Sequence, residues 1–65
     1  MCLLKVYLEE YTGRKLIARD VALIVKEGNI VSLKSIELEE VATLEEVDVS
    51  LIDTLNSVMI LKPKA

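Results

Sequence analysis

Apolar positions along the chain fall into short alternating runs separated by turn residues. From Cys2 to Glu9 the period is two: Leu4, Val6 and Leu8 share a face with Cys2, while Lys5 and Glu9 lie on the other with Leu3 and Tyr7. This spacing predicts a strand. Glu10-Tyr11-Thr12-Gly13-Arg14 follows as a turn in which Gly13 can supply a positive φ. Lys15 to Lys26 is the strongest apolar stretch, broken once by Arg19-Asp20. Within it, Val21-Ala22-Leu23-Ile24-Val25 is short and β-branched enough to predict a buried strand. Glu27-Gly28-Asn29 fits a tight hairpin loop, and Ile30-Val31-Ser32-Leu33-Lys34-Ser35-Ile36 returns as the next strand.

The segment from Leu38 to Val47 is ambiguous. Leu38, Val41, Leu44 and Val47 recur every three residues with paired glutamates between them, which suits a helix. Its Val and Thr content and its place among hairpins favour a strand instead. Val47 to Ile52 returns to period two, with Val47, Val49 and Leu51 expected on one face. Thr54-Leu55-Asn56-Ser57 reads as a turn, Val58-Met59-Ile60-Leu61 closes the sheet, and Pro63 prevents a long extension. The expectation is one all-β domain over residues 1–65. Five to six short strands would form a small, strongly bent antiparallel sheet or a partly open barrel.

Composition narrows the class. Apolar residues make up 52% of the chain and the net charge is only −3, which excludes intrinsic disorder. No apolar run reaches the ~18 residues of a membrane span, and Met1-Cys2-Leu3-Leu4-Lys5 has no leader character, so a cytoplasmic, membrane-free protein is expected. A chain of 65 residues buries only ~60% of the surface its unfolded form exposes. Ordering entropy of ~1.5 kcal/mol per residue then nearly cancels the hydrophobic gain. One cysteine cannot form an intrachain disulfide, so a homodimer, a metal, or both are expected to supply the remainder.

Charge and missing residue types remove further classes. Ser35 to Leu61 contains no Lys or Arg, while Glu37, Glu39, Glu40, Glu45, Glu46, Asp48 and Asp53 all fall there. Phosphate neutralisation needs the opposite. Lys5, Arg14, Lys15, Arg19, Lys26 and Lys34 leave room for a local basic patch only, and Phe and Trp stacking platforms are absent. The chain has no His, so Ser32, Ser35, Ser50 and Ser57 have no imidazole partner for nucleophilic catalysis. The single Cys falls short of the three or four ligands of a zinc site. No phosphate-binding or dinucleotide motif is present. The chain is expected not to be an enzyme.

Cys2 is the chemically notable residue. It suits a small buried hydrophobe near a chain end, but its position also suits metal binding. A thiolate at position two forms a five-membered chelate with its own backbone nitrogen. If Met1 is removed, that nitrogen is a terminal amine; if Met1 stays, its amine and an ionised Cys2 amide join the sulfur as adjacent rings. Thiolate with nitrogen donors in this arrangement favours a planar four-coordinate ion, the preference of Ni(II) or Cu(II). One chain fills half or three-quarters of the square, and a second Cys2 from a dimer mate is the natural complement.

Met1-Cys2-Leu3, Val6-Tyr7-Leu8, Asp20-Val21-Ala22-Leu23-Ile24, Gly28 and Ile52-Asp53 with Ile60-Leu61 resemble the CooT family of small nickel-binding proteins along essentially the whole chain. The chain departs from the family at Ile36-Glu37-Leu38-Glu39-Glu40, where a Phe-Gly turn is expected before the glutamates. The resemblance implies a homodimer holding one Ni(II) between two subunits through Cys2, and a small Sm-like barrel. It also implies an accessory role as a candidate metallochaperone for the nickel-dependent carbon monoxide dehydrogenase, with that enzyme or its maturation proteins as partners. Two other readings stand beside it: an Sm-like RNA-binding module, and a plain protein-interaction dimer with incidental metal binding. The charge distribution yields a first prediction. RNA binding, measured by filter retention at increasing salt, should be weak and should vanish as salt rises; tight, salt-resistant binding to a defined single strand would contradict the charge argument.

Overall fold

The alternation that starts the chain becomes strand β1 (Leu4–Glu10), followed by β2 (Gly13–Val21), β3 (Leu23–Glu27), β4 (Ile30–Lys34), β5 (Glu40–Glu45), β6 (Val47–Asp53) and β7 (Val58–Pro63). The computed structural model describes residues 3–64; Met1, Cys2 and Ala65 lie outside the described residues. The segment with helical spacing is a strand, and no helix occurs among the described residues. The fold is all-β, in two sheets that do not close into a barrel: a four-stranded sheet in the order β2-β1-β7-β6 and a three-stranded sheet in the order β3-β4-β5.

Seven strands replace the expected five to six because two long strands bend and serve both sheets. Between β2 and β3 only Ala22 intervenes, and between β5 and β6 only Glu46. Asp20 and Glu46, at these crossings, have φ of +53° and +56°. A left-handed residue re-aims the strand, so that the residues beyond it pair in the other sheet. Backbone hydrogen bonds close both corners: Ala22 N–H donates to Lys34 O at 2.9 Å, and Glu46 N–H to Asn29 O at 2.8 Å. Lys64 N–H donates in turn to Glu46 O at 3.0 Å, tying the end of the chain to the same corner. Two register shifts between β1 and β2 add further bending.

One ladder is not antiparallel as expected. β1 and β7 run parallel, with Lys5, Val6, Tyr7 and Leu8 opposite Val58, Met59, Ile60 and Leu61. The first and last strands thus lie side by side at the centre of the larger sheet. The buried cluster draws on both sheets: Val6, Ala18, Val21, Val47, Met59 and Leu61 from one, Val31 and Leu33 from the other. Leu4 and Leu8 pack against it, as the alternation of β1 predicts. The expected buried run from Val21 to Val25 is only partly so. Val21 ends β2 inside the core, whereas Leu23 is exposed, because the corner at Ala22 separates them. Val47, Val49 and Leu51 do not share a face either: a register shift between Val49 and Leu51 sets Val49 opposite Leu61 and Leu51 opposite Ile60.

The turns follow their chemistry. Gly28, at φ +59°, takes the first central position of the two-residue β3–β4 loop, as a type II′ hairpin requires. The connection between β4 and β5 is less well matched to its sequence. Ser35 Oγ accepts from the Glu37 and Glu39 N–H groups at 3.2 and 3.3 Å, and Leu38 N–H donates to Ser35 O at 2.9 Å. This holds Leu38 at φ +66° with 67% of its surface exposed. A leucine in that conformation costs about 1–2 kcal/mol that a glycine avoids, and its exposed side chain gains little from burial in return. Leu38→Gly should therefore raise stability by roughly 0.5–1 kcal/mol in urea unfolding, after the glycine's greater unfolded-state entropy is set against the relieved strain. A loss of stability would contradict the strain assignment.

Candidate functional site

Met1 and Cys2, the ligands expected from the sequence, lie outside the described residues. The structure does define the strand that follows them. Leu4 pairs with Val21 of β2, Lys5 faces Val58 of β7, and Lys5 N–H donates to Ser57 O at 3.0 Å. The start of β1 is thereby held on both sides. Among the described residues no group of three or more His, Cys, Asp or Glu side chains gathers as a metal site. The acidic run from Glu37 to Glu46 divides instead among the β4–β5 loop, β5 and the corner at Glu46. Glu46 there accepts from Asn29 Nδ2 at 3.2 Å, and Lys64 Nζ donates to Asn29 Oδ1.

Sequence reading missed a groove of about 410 Å³ on the face of the four-stranded sheet away from the main core, lined by Tyr7, Arg14, Leu51, Asp53, Asn56, Val58 and Ile60. The parallel register sets Tyr7 beside Ile60, and β6 sets Leu51 beside Ile60. Ile60 is only 3% exposed yet stands outside the main cluster, so the groove has an apolar floor of its own. The signal was present in the unbroken run Val58-Met59-Ile60-Leu61. A strand apolar at every position is covered on both faces, whereas a half-solvated one alternates.

One end of the groove carries Arg14, whose Nε lies 3.6 Å from Glu9 Oε1, an exposed pair of small energetic weight. The other end is a tight turn organised by Asp53. Asp53 Oδ1 accepts from the Leu55 and Asn56 N–H groups at 3.0 Å each, and Oδ2 from Asn56 Nδ2 at 2.9 Å. Ser57 closes the turn at φ +56°. The turn expected from Thr54 to Ser57 is thus fixed by the aspartate immediately before it. No helix among the described residues is long and apolar enough to cross a membrane. No protein-family model matches the chain, and no curated protein matches it significantly.

The hydrogen bonds from Asn56, side chain first and backbone next, hold the Asp53 carboxyl below its ordinary value; the Leu55 N–H adds to this, and slight desolvation opposes it. A carboxyl depressed in the folded state contributes stability above its unfolded value, and that contribution is lost as pH falls through the folded value. Asp53→Asn should accordingly flatten the decline in stability below about pH 4 relative to wild type. Identical acid limbs for the two proteins in pH-dependent unfolding would contradict the role given to the carboxylate.

Proposed function

We propose that the chain is a non-catalytic nickel-binding protein that works as a homodimer, with Cys2 and the nitrogen donors of Met1 or of its own backbone as ligands. The carrying observation is the position of the only thiol in the sequence. At residue two it commands a chelating nitrogen that a mid-chain cysteine lacks, and the resemblance to the CooT family rests on the same Met-Cys start. The donor set suits Ni(II): thiolate and nitrogen are the ligands of a planar site, and no histidine competes with them. Two further observations support the reading. Acidic side chains among the described residues offer no alternative cluster. Eleven large apolar residues are left exposed among those described, surface that a second chain could cover.

In this account nickel is cargo, held for transfer to a nickel enzyme such as carbon monoxide dehydrogenase or to its maturation proteins, and the protein turns over no substrate. A site for delivery retains Ni(II) against modest chelators at a defined stoichiometry, which separates it from incidental capture by an exposed thiol. Cys2→Ser should abolish high-affinity nickel binding in an absorption titration while leaving the dimer intact. The wild-type protein should develop thiolate-to-metal bands without paramagnetism, as square-planar Ni(II) requires. Extending the N-terminus should weaken binding if the terminal amine is a ligand. A Ser variant that binds nickel as tightly as wild type would overturn the proposal.

A further inference from the structure

The four-stranded sheet ends in two strands that pair on one side only, β2 and β6. Both run antiparallel to the central strands β1 and β7, so they point the same way. The ladders set their residues level by level. Leu16 on β2, Tyr7, Ile60 and Leu51 on β6 form one row across the sheet. Lys15 with Leu8, Leu61 and Val49 forms the row on one side of it, and Ala18 with Val6, Met59 and Ile52 the row on the other. One residue beyond the Leu8 row, Arg14 pairs with Glu9 and Asp48 with Lys62. Read across the strands, that last row alternates in sign.

The two ends of these rows suit each other. Arg14 on β2 is level with Asp48 on β6, and Leu16 with Leu51. Each edge carries one bulged residue, Ile17 in β2 and Ser50 in β6, so Arg14 to Ala18 and Asp48 to Ile52 contain five residues each. The side chains are open: Leu16 is 41% exposed, Leu51 44% and Ile52 59%. An unpaired edge with exposed apolar side chains is a template for another strand. Charge selects which strand. Two β2 edges paired antiparallel about their centre oppose Arg14 to Arg19, and two β6 edges oppose Asp48 to Asp53, both like-charge pairings that destabilise a ladder. β6 laid in parallel on β2 of a second copy opposes Asp48 to Arg14 and Ile52 to Ala18, with Leu51 and Leu16 in the row between.

A two-fold axis along the strands makes both such junctions at once and closes eight strands into a ring. It leaves strand direction unchanged, so β1 begins at the same end in both copies. The groove face turns inward. Arg14 from one edge and Leu51 and Asp53 from the other line the groove over a floor of Tyr7, Val58 and Ile60, which makes this face hollow across the width of the sheet. Eight strands enclose an interior that side chains just fill. The apolar row of Tyr7 and Ile60 lies in the middle, while the Arg14 row and the row of Lys5, Val58 and Asp53 stand at the two rims.

We infer that two copies join edge to edge, β6 of each in parallel with β2 of the other, with the groove closed between them. The inference rests on the homodimer of the proposed function. It brings the beginnings of β1, which Cys2 precedes by two residues, to one rim of the ring.

Sedimentation equilibrium of the metal-free full chain tests the junction by charge reversal. Arg14→Asp and Asp48→Arg each set like charges together at both junctions, and each alone should raise the dimer dissociation constant at least tenfold. An equal mixture of the two variants should recover the dimer, because in the mixed pair both junctions again join opposite signs. Glu37→Arg is the control: it makes the same charge change as Asp48→Arg at an exposed site of the β4–β5 loop and should leave the dimer unchanged. Far-UV circular dichroism checks that each variant keeps its strands. Single variants as dimeric as wild type, a mixture that stays monomeric, equal weakening by Glu37→Arg, or a monomeric wild type would overturn the inference. Nickel stoichiometry keeps the two proposals apart. A dimer indifferent to both reversals that still binds one Ni(II) through Cys2 sinks only the junction, and a charge-dependent dimer whose nickel binding ignores Cys2→Ser sinks only the metal site.

Discussion

Two residues in left-handed backbone conformation, Asp20 and Glu46, make the rest of the structure possible. Each sits where a long strand leaves one sheet and joins the other, so 65 residues build two facing sheets without spending chain on loops. The strain of about 1–2 kcal/mol at such a residue is offset by what the corner allows: Val21 and Val47, next to the bends, are drawn into the same cluster as Val31 and Leu33 of the smaller sheet. Burying one valine or leucine is worth about 1.5–3 kcal/mol, so each corner repays itself through a single core side chain. Aspartate tolerates the left-handed region better than glutamate, and the glutamate corner is the one reinforced by Asn29 and Lys64.

The parallel ladder between β1 and β7 is the second consequence of this economy. With both strands at the centre of the larger sheet, each must be covered on two sides. The inner side is closed by the main core, while the outer side is left to Tyr7, Leu51, Val58 and Ile60. The groove is therefore a residue of the topology: the described residues pack a layer on the inner face of this sheet, while apolar side chains also stand on its outer face. The same ladder fixes the beginning of β1, two residues after Cys2, against Ser57 and Val58.

Much of the fold was legible in the sequence because period-two alternation and turn residues are local signals. The alternation of Leu4, Val6 and Leu8, the Gly28 hairpin and the turn from Thr54 to Ser57 all stand where the pattern puts them. The corners were not legible. Neither Asp20 nor Glu46 is glycine, and alternation carries no mark of a strand changing sheets. Ser50 is likewise an ordinary residue at the β6 register shift, so Val49 and Leu51 parted faces without warning. The parallel pairing is non-local and has no signature in either strand alone. For the site, the lone cysteine was visible as composition, whereas the groove depends on residues brought together from four strands and one turn.

The account joins a thiol at residue two to the proposed pairing of two chains, and these meet in one species: two chains with one nickel ion. Native mass spectrometry of the protein titrated with Ni(II) tests this most directly. The predicted result is a dimer before metal is added, a shift to dimer plus one nickel that saturates at half an equivalent per chain, and no such shift for Cys2→Ser. A metal-free monomer, or nickel bound equally by the Ser variant, would contradict the account.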